Sequence, residues 1–109
     1  MYLSSKKCLP CEIGTPPLTK DQYEPLLKQL KLEWEVIEGK KIKHEFKFED
    51  FVVAMKFVNK VADLAEEENH HPNIHIYYSR VVIDLTTHSI KGLSENDFIM
   101  AAKLEDMII

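Results

Sequence analysis

The rhythm of apolar and polar positions changes several times along this chain, and each change predicts an element. Residues 1–18 have no periodicity and contain Pro10, Pro16 and Pro17, so they read as an arm. Thr19 is suited to cap a helix, with Gln22 three residues on as the reciprocal partner of a capping box. Leu26, Leu27 and Leu30 give that helix an apolar face, while Pro25 lies too deep for a first-turn proline and predicts a kink or a later start. Leu32 to Glu38 alternates, with Leu32, Trp34 and Val36 opposite Glu33 and Glu35. Beyond a turn at Gly39-Lys40, residues 40–48 alternate again, Ile42, His44, Phe46 and Phe48 against Lys41, Lys43, Glu45 and Lys47. Two such runs about a short glycine-containing turn predict a β-hairpin.

From Glu49 to Asn69 the period becomes helical: Phe51, Met55, Val58, Ala62 and Ala65 form a stripe that Ala54, Phe57, Val61 and Leu64 widen. Ile74–Tyr78 and Val81–Thr87 are rich in β-branched and aromatic residues and predict a second hairpin turning near Ser79-Arg80. Ser94 and Asp97 make a capping start to a last helix bearing Phe98, Ala101, Ala102, Met107 and Ile108. The order α-β-β-α-β-β-α predicts an α+β fold, a four-stranded antiparallel sheet with the helices on one face. The uncovered face or an open edge, with the apolar Met107-Ile108-Ile109, predicts self-association.

A length of 109 residues suits one domain, residues 19–109, behind the arm of residues 1–18. The net charge is −4 with acids and bases interspersed, so no basic surface suited to nucleic acid is expected. No apolar run approaches the roughly 20 residues of a membrane span. Lys6 and Lys7 are followed by no apolar stretch, so a secretory signal is not expected and a cytoplasmic location is. Cys8 and Cys11 form a Cys-x-x-Cys with three readings: thiols in a surface arm, a zinc half-site completed by another chain or by a histidine, or a redox pair. The prolines and glycine around it argue against the redox pair, which should open a helix after a strand.

The chemistry concentrates in Glu66-Glu67-Glu68-Asn69-His70-His71-Pro72, where the long helical pattern ends at a proline. Histidine can give or take a proton near neutral pH, and two lie side by side here. Hairpin strands run antiparallel, so the start of the third strand lies beside the end of the fourth. That topology brings His70, His71 and His88 to one end of the sheet. Three imidazoles can hold a zinc ion, or they can bind an uncharged or anionic ligand and move protons. Neighbouring histidines on an extended segment point to opposite sides, which makes joint ligation by His70 and His71 awkward. If helical geometry persists, Glu66 and His70 share a face at i and i+4. His44 and His75 read as structural or solvated, Asp97 as a helix cap, and Trp34 and Tyr78 as core or sheet aromatics.

Glu66-x-x-x-His70-His71-Pro72, then Tyr78, Thr87-His88, Gly92-Leu93-Ser94 and Asp97, resembles the pterin-4a-carbinolamine dehydratase family. The similarity runs from about Thr19 to the C-terminus. It includes Trp34, Phe46-x-Phe48-x-Asp50-Phe51 and Leu85-Thr86-Thr87-His88, and the arm resembles that of microbial members. The resemblance implies an α+β fold and dehydration of 4a-hydroxytetrahydropterin to quinonoid dihydropterin, a step in tetrahydrobiopterin recycling. It implies no metal and no cofactor, the pterin being the substrate. Catalysis would fall to His70, His71 and His88, supported by Glu66, which would orient His70, and by Asp97. Pro72, Tyr78 and Trp34 would bind substrate. His71 and His88 would lie nearest the 4a-hydroxyl, with His70 as supporting base or binder. The family's dimers or tetramers imply a homo-oligomer, and its mammalian members, which assist dimerisation of a homeodomain transcription factor, imply a protein-binding alternative. The family's frequent aspartate before the two histidines is Asn69 here, which places rate and pH optimum in question.

Overall fold

Side-chain alternation in two central strands sets the architecture, seen in a computed structural model that describes residues 3–9 and 14–108. The elements are α1 (Lys20–Gln29), β1 (Glu35–Ile37), β2 (Lys41–Lys47), α2 (Phe51–Glu68), β3 (Asn73–Tyr77), β4 (Arg80–Leu85) and α3 (Glu95–Asp106), with short 3-10 turns at Leu3–Ser5 and His88–Ile90. The strands form one antiparallel sheet in the order β1-β2-β4-β3. Ile42 and Phe46 of β2 and Val81, Ile83 and Leu85 of β4 are buried on the face that the helices cover. Lys41, Lys43, Glu45 and Lys47 alternate to the other side.

Helix α2 buries Ala54, Phe57, Val61 and Ala65, and the Phe57 ring lies 4.9 Å from that of Phe46 and 5.0 Å from that of Phe48. Asp50 caps it by accepting a hydrogen bond from the Val53 amide at 2.9 Å. Most of α3 is buried, including its polar residues Asn96, Asp97 and Glu105. The arm residues 3–9 are packed against α3 rather than set apart from the domain: Leu3 joins the core, and Lys103 donates to the Ser4 carbonyl at 3.0 Å.

Three local expectations are corrected. Helix α1 starts at Lys20 and runs past Pro25. The proline removes one amide, its ring is exposed, and the freed Asp21 carbonyl one turn earlier belongs to a residue that is also exposed, so water can satisfy it. The first hairpin turns at Glu38-Gly39, with φ of 52° and 68°, one residue earlier than the Gly39-Lys40 expected; both central residues are left-handed, as a type I′ turn requires. Strand β1 is shorter than the alternation from Leu32 to Glu38. Its first residues are drawn off by Glu105, whose Oε1 accepts from the Lys31 amide at 2.9 Å and whose Oε2 accepts from the Leu32 amide at 2.7 Å and the Trp34 indole at 3.0 Å.

This knot of one buried carboxylate and three donors ties the α1–β1 connection to α3. Replacing Glu105 with alanine leaves three donors without their acceptor. The variant should lose about 3 kcal/mol of unfolding free energy, and a urea midpoint equal to the parent's would show that the knot is dispensable.

Candidate active site

The end of α2 decides where the two adjacent imidazoles go. Asn69 takes the left-handed conformation (φ 53°, ψ 40°) that non-glycine residues other than asparagine and aspartate seldom adopt. The His70 amide then bonds back to the Ala65 carbonyl at 3.2 Å, closing a Schellman-type cap. The helix therefore stops before His70, and the i, i+4 relation of Glu66 to His70 does not form. Glu66 instead meets His71, Oε2 to Nε2 at 2.5 Å, in an exposed pair.

His70 turns inward to Asp97. Its Nε2 donates to Asp97 Oδ1 at 2.7 Å, and Asp97 is fully buried. The other carboxylate oxygen accepts from the Ser94 amide at 2.9 Å, the reciprocal bond of the capping box, and from the Thr87 hydroxyl at 2.9 Å. Because Thr87 gives its proton to Asp97, the 2.7 Å contact between Ser94 Oγ and Thr87 Oγ1 has Ser94 as donor. One carboxyl group thus caps α3, holds the residue before His88 and fixes the His70 ring with its hydrogen on Nε2. Nδ1 is the nitrogen left for a ligand.

His88 begins the 3-10 turn after β4, closed by the Thr87–Gly92 bridge and by Lys91 at φ 55°. His70, His71 and His88 line one pocket of about 230 Å³ with Asn69, Thr86, Thr87, Ser89, Asn96 and Leu9. That is below the roughly 300–1,000 Å³ of drug-sized sites. The convergence expected from hairpin topology is present. Thr87, Ser94, Asn96 and Leu9 were not singled out as site residues; Ser94-x-x-Asp97 was legible as a cap, but not that the cap would also carry an imidazole.

Other expected residues lie elsewhere. Pro72 is half-buried in the link before β3. Tyr78, at φ 56°, sits in the β3–β4 turn, the opposite end of that hairpin from the histidines, and stacks on Phe51 with ring centroids 6.4 Å apart. Trp34 is buried between Glu105, His44 and Phe46. Neither aromatic is brought to the pocket. His44 is structural, its Nδ1 bonded to the Glu33 carbonyl at 2.7 Å, and His75 pairs with Asp84 on the other face of the sheet at 3.1 Å.

Cys8 lies on α3, its thiol 3.7 Å from the Asn96 carbonyl. Burial, and then the neighbouring Glu68 carboxylate, push its thiol up to about 12. Such surroundings oppose the thiolate that zinc ligation or redox exchange needs. Cys11 lies outside the described residues. Among the described residues no three His, Cys, Asp or Glu side chains converge where they could hold a metal ion. Nor is any described helix long and apolar enough to cross a membrane.

A family model described as Pterin 4 alpha carbinolamine dehydratase matches residues 16–107. A curated relative from Rickettsia canadensis named "Putative pterin-4-alpha-carbinolamine dehydratase" is 49% identical over 97% of this chain and 97% of its own. One of the same name from Alkaliphilus metalliredigens is 46% identical over 94% of this chain and 93% of its own. The crystal structure of a transcriptional coactivator/pterin dehydratase from Brucella melitensis superposes with a TM-score of 0.77 at 36% identity, covering 84% of this chain and 97% of the other. A pterin dehydratase-like RuBisCO assembly factor of the alpha-carboxysome shares the fold, with a TM-score of 0.61 at 23% identity over 71% of this chain and 90% of the other.

Proposed function

We propose a function from one premise: the chain belongs to the pterin 4 alpha carbinolamine dehydratase family. The reaction is loss of water from 4a-hydroxytetrahydropterin to give quinonoid dihydropterin, the step that returns an oxidised pterin cofactor to its recycling route. The observation that carries it is three imidazoles around one pocket, one of them fixed by a fully buried carboxyl group. Water loss needs a proton at the departing 4a-hydroxyl and removal of a proton from a ring nitrogen. His71 and His88, both exposed in the pocket wall, deliver and receive those protons. His70, held by Asp97, presents Nδ1 as binder or supporting base. Glu66 orients His71 rather than His70. The reaction uses no metal and no cofactor, and the enzyme works in the cytoplasm.

The rate of 4a-hydroxytetrahydropterin dehydration tests this. The parent should accelerate it equally with and without a chelator, and His71→Ala and His88→Ala should each cut turnover by roughly 10²-fold. No acceleration by the parent would favour a non-catalytic pterin- or protein-binding role on the same fold. A rate lost to the chelator would favour a metalloenzyme.

Self-association belongs to the same proposal. Phe51, Val52, Ile76, Tyr77 and Tyr78 are exposed about the start of α2 and the β3–β4 turn, and β3 is an edge strand. An open edge beside apolar surface favours pairing with a second copy. Sedimentation velocity should show a dimer or tetramer that Val52→Glu weakens; a monomeric parent contradicts this.

A further inference from the structure

The arm reaches the histidine pocket, and the way it is held there has a consequence for the substrate. The Asn96 side chain grips the Leu9 backbone twice: Oδ1 accepts from the Leu9 amide at 2.9 Å, and Nδ2 donates to the Leu9 carbonyl at 2.5 Å. One residue earlier, the Cys8 amide donates to Glu68 Oε1 at 2.9 Å, and Lys103 lies 3.9 Å from Glu68 Oε2. Glu68 and Asn96 are themselves buried. Glu68 is two residues before His70, and Asn96 is the neighbour of Asp97. The arm is therefore pinned by the same two helix ends that fix the His70 ring, and its position is registered to that ring.

The pins hold Leu9 at the pocket that the histidines line, where it is 71% exposed and outside the core cluster. An isobutyl group held on the wall of a polar pocket is suited to the face or edge of a flat heterocycle. We infer that Leu9 is a specificity-determining contact for the pterin ring, and that Asn96 is a positioning residue acting through it. The inference rests on the dehydratase reading of the pocket. It assigns the arm a part in substrate recognition that the histidines alone do not supply.

The test compares the parent with Leu9→Ala, Asn96→Asp and the double variant. Asn96→Asp keeps the acceptor for the Leu9 amide but sets an oxygen against the Leu9 carbonyl, so it should release the grip without altering volume. Two quantities are read: KM and kcat for 4a-hydroxytetrahydropterin, and the Kd of 7,8-dihydrobiopterin, a stable pterin without the 4a-hydroxyl. Removing one apolar contact should raise KM and Kd about 10-fold in each single variant, with kcat changed far less. The double variant should be no weaker than either single one, since both act on the same contact. Leu9→Met should restore affinity. Leu9 is 71% exposed, so Leu9→Ala should keep the parent's melting temperature.

A parent-like KM and Kd for Leu9→Ala in an active enzyme overturns the inference and leaves the dehydratase reading standing. Additive losses in the double variant overturn the role of Asn96. A parent that binds 7,8-dihydrobiopterin with Leu9-dependent affinity but dehydrates nothing upholds the wall and overturns the reaction. A parent that binds no pterin overturns both.

Discussion

A single buried carboxyl group, that of Asp97, is what the site depends on. It accepts one bond from the amide that starts α3, one from Thr87 beside His88 and one from the ring of His70. Those donors lie on three segments, the end of α2, the exit of β4 and the start of α3. A buried acceptor with all its partners present is a strong constraint, because removing any one leaves a polar group without water. The capping bond thus serves two ends. It starts a helix, and the same carboxylate sets the rotation and tautomer of the His70 imidazole.

The second constraint is the left-handed cap at Asn69. Had α2 continued by one turn, Glu66 and His70 would share a face. The cap instead swings His70 inward to Asp97 and leaves His71 outward with Glu66. Neighbouring residues of one dipeptide consequently have opposite settings: one ring is mostly covered and bonded to a buried acid, the other exposed and paired with an exposed one. Under the proposed dehydration, this division suits one group that holds position and one that moves a proton. Asparagine is one of the few residues besides glycine suited to such a left-handed cap.

Much of this was legible in the chain. Period-2 runs gave the strands, the period-3.6 stripe gave α2, and antiparallel pairing alone placed His70, His71 and His88 together. What sequence could not give was three-dimensional choice. The i, i+4 spacing of Glu66 and His70 was real, but the helix ended first. The resemblance implies Trp34 and Tyr78 at the substrate, whereas their own spacing reads as core or sheet aromatics; Trp34 is in the core, held by Glu105 from α3, and Tyr78 lies at the far turn of its hairpin. The arm lacked any periodicity to announce that its backbone would be gripped by Glu68 and Asn96. Long-range pairs of this kind become visible only when the elements are packed.

The most direct test of the account is the dehydration rate of Asp97→Asn, measured on protein whose near-UV circular dichroism matches the parent's. The amide keeps the shape but cannot accept on both sides, so the His70 ring loses its fixed setting. Turnover should fall by about 10²-fold, and an Nε2 proton signal of His70 expected in the parent's nitrogen–proton spectrum should be lost. A folded Asp97→Asn protein that turns over at the parent's rate would contradict the claim that this buried carboxyl group organises the site.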